Sequence, residues 1–404
     1  MNTIAALRHR NFRLMWVSLL VSNAGTWLQA VALDALLYDM TGRALDLGLI
    51  NVIRAVTLIS LAFLGGTVAD RLDKRRLLMA TQSLSALLAF ALGALAHWGL
   101  LDVWHVMVSA FLGSVLLALD QPARQSLVPH LVPREYLMNA IALNSVTYTG
   151  AAAIGPALAG PVVRAFGLPW GFYLNGLSFF AVIWAVYMVR LAPSPRRQTP
   201  EKVSEAIASG LRYIAATPAL LVLVSLLTMF AFFAIPYQSL LPVFAVKAFG
   251  GGVQELGWLR AAPGVGSLTG GFLLARFAAY PFKDRLVIGG ALGFSAALIV
   301  FAFTRFMPAA LVLLFVAGLL MTIFQSTVMT LMQQLTSDEM RGRVMSLFAI
   351  SVIGMWPLGA GPLSWAADQF GVAAATTAGS AIAAAYMLVL VFRAGHLLRQ
   401  FRTS

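Results

Sequence analysis

The sequence predicts an all-α membrane protein with twelve transmembrane helices in two six-helix bundles that repeat each other weakly. Of the 404 residues, 60% are hydrophobic and only 11% are charged, whereas a soluble domain carries about a quarter charged residues. A transmembrane helix needs about 20 mostly apolar residues, and the chain contains twelve such runs. Charged or Pro-rich segments separate these runs, so we place those segments at the membrane surface.

The predicted elements follow one another as six helices, a polar link and six more helices. The N-terminal bundle, within residues 1–191, holds the predicted spans Phe12–Tyr38, Leu45–Val68, Leu77–Trp98, Val103–Ala123, Leu137–Phe166 and Trp170–Val189. A cytosolic linker rich in Pro, Arg and Ser occupies residues 192–217. The C-terminal bundle, within residues 218–404, holds the predicted spans Pro218–Phe244, Leu256–Phe277, Leu286–Thr304, Pro308–Leu335, Val344–Trp365 and Ala373–Phe392.

The positions of the positive charges predict the orientation of the chain, because cytoplasmic loops carry an excess of Lys and Arg. With both termini inside, the outside loops hold only four cations, which are Arg43, Arg164, Lys247 and Arg305. The net charge of +13 does not indicate nucleic-acid binding, because the cations are spread over seven short inside segments and form no continuous basic face. The lipid bilayer is therefore the expected environment.

Several kinds of chemistry are not expected from this composition. The chain has no cysteine, which excludes disulfides and thiolate metal sites. Its five histidines lack metal-ligand spacing, so we expect no metal. No phosphate-binding loop of the type Gly-x-x-x-x-Gly-Lys is present, so we expect no direct use of ATP and no cofactor. We also expect no cleavable signal peptide, because the first apolar run is long enough to span a membrane.

Short motifs recur in the two predicted bundles. Asp46-Leu47-Gly48 opens the second span and Glu255-Leu256-Gly257 opens the eighth, while Gly65-Gly66 with Arg71 recurs as Gly270-Gly271 with Arg276. Parallel repeats about an axis normal to the membrane are typical of transporters, with the binding site between the repeats near the midplane.

Longer motifs resemble a known family. The segment Gly66-x-x-Ala69-Asp70-Arg71-x-x-Lys74-Arg75 resembles the signature of the loop between helices two and three in the major facilitator superfamily, although Asp73 stands where many members have glycine. Three further segments resemble bacterial exporters related to the enterobactin exporter, the transmembrane secretion effector type. These segments are Ser22–Gln29, Pro122–Gln125 running into Leu131–Glu135, and Asn139–Ser145. The resemblance covers the whole chain.

The resemblance implies a major facilitator fold and a multi-pass protein of the bacterial inner membrane with both termini in the cytosol. It also implies a monomeric secondary active transporter that exports a small organic molecule by proton antiport through alternating access. Drugs, siderophores and other metabolites remain open as the substrate. An importer or uncoupled facilitator is the alternative within transport. A membrane-embedded lipid-modifying enzyme and a non-transporting sensor or scaffold are alternatives from other classes.

The resemblance further implies a cytosolic gate. Its residues are Gly66, Asp70, Arg71, Lys74, Arg75, Asp120 and Arg124. In this interpretation Asp70 holds the two bundles together in one state and releases them in the other. Asp120 and Arg124 can also pair on one helix face, because they are four residues apart. The alternatives are a basic loop that only fixes orientation and an ordinary helix-end ion pair.

The fifth helix carries a motif similar to the antiporter motif of export members. It consists of Gly155, Pro156 and Gly160, with Ala159 between them. Proline removes a backbone hydrogen bond and bends a helix, and small residues allow close helix packing. The family interpretation is a bend that limits substrate leak, and the alternative is tight packing alone.

Charged and polar residues inside the predicted spans are the candidates for a proton or substrate site, because intramembrane charges are costly. Asp34 is a candidate proton carrier, with Arg54 beside it to tune its pKa or pair with substrate. Arg260 indicates a site that tolerates an anionic or polar ligand. A structural ion pair is the alternative for Asp34. The candidate cavity residues are Asn23, Trp27, Gln29, Gln238 and Gln325, with hydrogen bonding between helices as the alternative.

Overall fold

The computed structural model describes residues 5–189, 203–276 and 282–399, without the side chains of residues 62–71, 203–207, 353 and 394–399. Within these ranges the chain forms helices and no strand, which confirms the all-α class. The α-helices are α1 (Arg10–Thr41), α2 (Ala44–Arg71), α3 (Lys74–His97), α4 (Val103–Leu131), α5 (Leu137–Phe166), α6 (Pro169–Met188), α7 (Val203–Ala216), α8 (Pro218–Met229), α9 (Tyr237–Lys247), α10 (Val253–Arg276), α11 (Lys283–Phe303), α12 (Met307–Leu335), α13 (Asp338–Ala349), α14 (Met355–Phe370) and α15 (Val372–Arg399).

Eleven helical segments of the described chain are long and apolar enough to cross a membrane. The remaining predicted span, Leu256–Phe277, overlaps α10, a continuous helix of 24 residues that is not among the eleven. This helix carries Glu255, Arg260 and Arg276, together with five glycines and Pro263.

The predicted end of α4 differs from the structure, because proline does not end this helix. Helix α4 was expected to end at Ala123, but it continues through Pro122 and Pro129 to Leu131. Transmembrane helices tolerate proline because neighbouring helices and local adjustments satisfy the freed backbone groups. Helix α5, in contrast, has the predicted bounds.

Two predicted spans are interrupted by a wider π-helical turn, at Phe230–Ala234 between α8 and α9 and at Ile350–Gly354 between α13 and α14. In the first, the amide of Ile235 donates to the carbonyl of Phe230 over 3.0 Å. Pro236 follows directly and has no amide hydrogen to continue an α-helical pattern. The hydropathy pattern gives no sign of these turns, because both segments remain apolar throughout.

The predicted linker contains a helix in its described part. Helix α7 packs against α13: a Cβ at Gly210 would lie 3.0 Å from Cδ1 of Leu347, and the amide of Ser337 donates to the Tyr213 hydroxyl over 3.4 Å. Residues 192–202 of the linker lie outside the described residues. The predicted polar link is therefore partly an ordered helix.

The contacts divide the chain into two compact units. The first unit comprises Met1–Gly42, Val56–Thr199 and Gly251–Ala261, and the second comprises Arg43–Ala55, Pro200–Gly250 and Ala262–Ser404. The start of α10 thus belongs to the first unit, and the start of α2 belongs to the second. The predicted division at residues 191 and 218 follows the sequence repeat, and it stays a prediction.

Each unit has its own apolar core. In the first unit, buried residues of α1, α3, α4 and α6 form one cluster, with Phe12, Leu78 and Val182 almost fully enclosed. In the second unit, Phe230 lies 5.1 Å from Phe324 between ring centroids. These cores hold the helices that carry the polar residues described below.

Candidate functional site

A buried ion pair joins α1 to the start of α10 within the first unit. Nη2 of Arg260 donates to Oδ2 of Asp34, and the two side chains are only 13% and 10% exposed. The sequence did not pair these two residues, and the hypothesis that Arg54 tunes Asp34 stays a prediction. The partners are 226 residues apart in sequence, so no local pattern indicates this pair.

Small residues of α5 allow close packing against the two helices that carry this pair. A Cβ at Gly155 would lie 2.6 Å from Cβ of Trp27 and against the carbonyl oxygen of Ala24, both on α1. A Cβ at Gly160 would lie 2.7 Å from Cα of Gln254 on α10. The motif on α5 thus fixes the distance to the two helices that carry Asp34 and Arg260.

Helix α10 also has a glycine where it contacts the α5 motif. Gly257 of α10 faces the carbonyl oxygen of Pro156, where a Cβ would be too close. Pro156 itself is buried. These contacts agree with tight packing, and the proposed role of a bend in limiting leak stays a prediction.

The second unit contains a repeat-related contact that is neutral. Gly48 of α2 packs against α14, where a Cβ would lie 2.6 Å from the carbonyl oxygen of Ala360. Three residues later, Nδ2 of Asn51 donates to Oγ of Ser239 over 3.1 Å. Gly257 and Arg260 have the same spacing in the repeated motif. One repeat therefore has an ion pair where the other has a hydrogen bond between uncharged side chains.

Asp368 of α14 caps the first turn of α2. Its two carboxylate oxygens accept hydrogen bonds from the amides of Ala44 and Leu45, at 2.8 and 2.9 Å. A negative charge is favourable at a helix N-terminus, where backbone amides are otherwise unpaired. Asp368 was not predictable from the sequence, because the amides that it caps lie more than 320 positions away.

A second buried carboxylate, Asp120 of α4, has several donors. The Thr81 hydroxyl and the Gln82 amide of α3 donate to its Oδ1 over 3.0 and 2.7 Å, and Arg124 donates to Oδ2. The spacing predicted the pair with Arg124. The two polar residues of α3 were missed, although adjacent polar residues inside an apolar run are a signal for such a partner. The role of this cluster in a gate stays a prediction.

The predicted loop gate is described only in part. Gly66, Asp70 and Arg71 belong to the end of α2, and their side chains lie outside the described residues. Lys74 and Arg75 begin α3, and Lys74 is half-buried.

Two residues at the start of α3 have clear structural partners. Arg75 donates from Nη2 to the carbonyl oxygen of Tyr187 on α6 over 2.7 Å, and its guanidinium carbon lies 5.4 Å from that ring's centroid. Asp73 caps α3 by accepting a hydrogen bond from the amide of Arg76 over 2.8 Å. Capping gives a physical reason for an aspartate where many superfamily members have glycine.

The candidate cavity residues of the first unit lie on α1 and contact neighbouring helices. Oε1 of Gln29 accepts a hydrogen bond from Nδ2 of Asn175 on α6 over 2.6 Å. The Trp27 ring lies 6.1 Å from the Tyr148 ring between centroids, and Asn23 is half-buried. Asn175 was missed by sequence analysis, although a lone amide in an apolar helix is a recognisable signal.

The remaining two candidates lie in the second unit. Gln238 belongs to α9 and Gln325 to α12, and both are half-buried. The structure thus assigns three candidates to one unit and two to the other. Their participation in one substrate cavity stays a prediction.

Comparison with known proteins identifies the family. A family model described as Transmembrane secretion effector matches residues 1–401. The enterobactin exporter EntS of Shigella boydii is 24% identical over 408 residues, which cover 98% of this chain and 94% of that protein. The multidrug efflux pump Tap of Mycolicibacterium fortuitum is 27% identical over 360 residues, covering 86% and 88%.

Solved structures share the fold. A bacterial homolog of the human lysosomal transporter Spinster matches with a TM-score of 0.70 at 16% identity, covering 97% of both chains. This likeness confirms the predicted fold. The family match also confirms the resemblance noted in the sequence, and the named relatives are transporters, not enzymes. Because the family model spans nearly the whole sequence, the chain belongs to the transmembrane secretion effector family of the major facilitator superfamily, whose members are multi-pass membrane transporters.

Proposed function

We propose that the protein exports a small organic molecule by proton antiport through alternating access. Relatives that match most of the chain are named as an enterobactin exporter and a multidrug efflux pump, which supports outward transport. The observation that carries the proton-coupled part is the buried ion pair of Asp34 and Arg260. We further propose a monomer with both termini in the cytosol.

Protonation of Asp34 would weaken the contact between α1 and the start of α10. A proton on Asp34 removes the negative charge and leaves the Arg260 guanidinium buried without its counter-ion. An uncompensated buried charge costs about 3–5 kcal/mol. Protonation therefore favours separation of α1 from the start of α10, and loss of the proton favours their reunion.

The repeat-related contact supports assigning the coupling to Asp34. Asn51 and Ser239 occupy the corresponding contact in the second unit, and neither side chain changes its charge near neutral pH. Protons therefore act on only one of the two repeat-related contacts. We also propose that Asp70, with the basic residues that follow it and the Asp120–Arg124 pair, forms the cytosolic gate.

Accumulation assays in a bacterial strain without its own efflux pumps test this function. A panel of drugs and siderophores is supplied to cells that express the protein, with and without an uncoupler of the proton gradient. We expect lower accumulation of at least one compound, and we expect the uncoupler to abolish that difference. Higher accumulation would indicate an importer, and export that ignores the uncoupler would indicate a driving force other than the proton gradient; either result would overturn the proposal.

A further inference from the structure

One cavity of the second unit lies apart from every site described above. It has a volume of about 720 Å³ and lies where α9 and α11 end and α15 begins. Lys247, Phe303, Arg305, Phe370 and Thr377 are among its lining residues. We propose that this cavity binds the headgroup of an anionic phospholipid from the adjacent membrane leaflet, which the predicted topology makes the outer one.

Two exposed cations give the cavity its charge preference. Lys247 and Arg305 line it together, and none of its described lining residues is acidic. Nη1 of Arg305 makes only long contacts with carbonyl oxygens of its own turn, at 3.5 Å to Ala302 and 3.4 Å to Thr304. Most of its donors therefore remain for an external anion, and a guanidinium fork matches phosphate geometry.

Topology alone does not account for these two cations. Outside loops are poor in Lys and Arg, and only four cations are predicted there. Two of the four line this single cavity, whereas Arg43 faces Asp46 at 3.9 Å. A shared anionic ligand explains why two cations lie together on the side where cations are scarce.

The aromatic walls favour a lipid over a soluble anion. Phe303 and Phe370 are 64% and 70% exposed, and Trp365 packs edge-on against Phe370 with ring centroids 6.2 Å apart. Trp is enriched at the boundary between hydrocarbon and water, and the exposed Trp365 indicates that these rings lie at that depth. A phospholipid places its phosphate at this depth and its acyl chains against such rings, whereas a soluble anion gains nothing from them.

The cavity is large enough for a lipid headgroup, and a threonine is among its lining residues. Oγ1 of Thr377 is buried and has no hydrogen-bond partner among the described residues. The volume falls within the range of small-molecule sites, about 300–1,000 Å³, which suits a headgroup.

Lipid binding by the purified full chain tests the proposal, and it requires no transport substrate. Native mass spectrometry measures binding of phosphatidylglycerol, with phosphatidylcholine as the zwitterionic comparison and inorganic phosphate as a competitor. One basic residue beside an anionic lipid strengthens binding about fivefold. We therefore expect Lys247→Gln and Arg305→Gln each to weaken phosphatidylglycerol binding about fivefold, and the double variant about thirtyfold.

Arg164→Gln is the matched control, because Arg164 is an exposed cation in the last turn of α5 on the same predicted side. It should bind like the wild type. Equal binding of phosphatidylglycerol by the double variant, or an equal loss in Arg164→Gln, would overturn the site. Equal binding of phosphatidylcholine, or displacement of the lipid by millimolar inorganic phosphate, would overturn its assignment to an anionic lipid. Thermal unfolding of each lipid-free variant verifies that the fold is intact.

Discussion

Asp34 and Asp120 are both buried carboxylates of the first unit, yet their surroundings differ. Asp120 accepts hydrogen bonds from three side chains on α3 and α4. Donors within the first unit therefore stabilise its negative charge. Asp34 has its ion pair with one residue, Arg260, from a distant part of the chain. A carboxylate with one charged partner from a distant part of the chain is the better candidate for proton exchange, and one with three donors on adjacent helices is the better structural anchor.

Replacement of Asp120 tests its role as an anchor. We expect Asp120→Asn to lower the free energy of unfolding by about 3 kcal/mol, because Arg124 remains buried without its counter-ion. Thermal unfolding in detergent measures the change. Asp338→Asn is the control, because its pair with Arg341 is exposed and such pairs contribute at most about 1 kcal/mol. Equal stability of Asp120→Asn and the wild type would contradict an anchoring role.

A double-mutant cycle tests the pair of Asp34 and Arg260. Each single neutralisation, Asp34→Asn or Arg260→Gln, leaves one buried charge alone, so each should destabilise the protein. The double variant resembles the neutral contact of Asn51 and Ser239, so we expect it to unfold at a higher temperature than either single variant. Strictly additive losses would show that the two side chains do not interact.

At the level of helices, the sequence predicted the apolar spans well because each is defined by its own composition. Helix α5 has its predicted bounds, and α10 is present although it is not among the eleven most apolar segments. Features that depend on distant partners were not predictable, such as Asp368 at the start of α2 and Arg260 beside Asp34. The π-helical turn before Pro236 was also missed, because it changes hydrogen bonding without changing hydropathy.

The close packing of α5 against α1 gives a prediction at this scale. We expect Gly155→Ala to destabilise the protein by about 1–3 kcal/mol, because the added Cβ meets Ala24 and Trp27 and forces the helices apart. Gly150→Ala in the same helix is the control, since its Cβ would meet nothing closer than 4.0 Å. Thermal unfolding compares the two variants. Identical melting of both would show that the contact at Gly155 is loose.

For the whole molecule, the distribution of cations predicts which ends of the helices face the cytosol. The natural absence of cysteine allows this topology to be tested with single-cysteine variants. Leu72 lies between α2 and α3 and Leu100 between α3 and α4, and both are exposed. We expect a membrane-impermeant maleimide to label Leu100→Cys in intact cells, and to label Leu72→Cys only after permeabilisation. The opposite pattern would invert the topology.

Transport into inverted membrane vesicles tests the central claim most directly. With an acidic vesicle interior, the wild type should accumulate an exported compound in proportion to the pH gradient, and an uncoupler should abolish accumulation. Asp34→Asn should lose this dependence on the gradient, whereas Asp46→Asn, a matched buried carboxylate, should retain it. Wild-type accumulation that ignores the gradient, or an unchanged dependence in Asp34→Asn, would contradict proton antiport through Asp34.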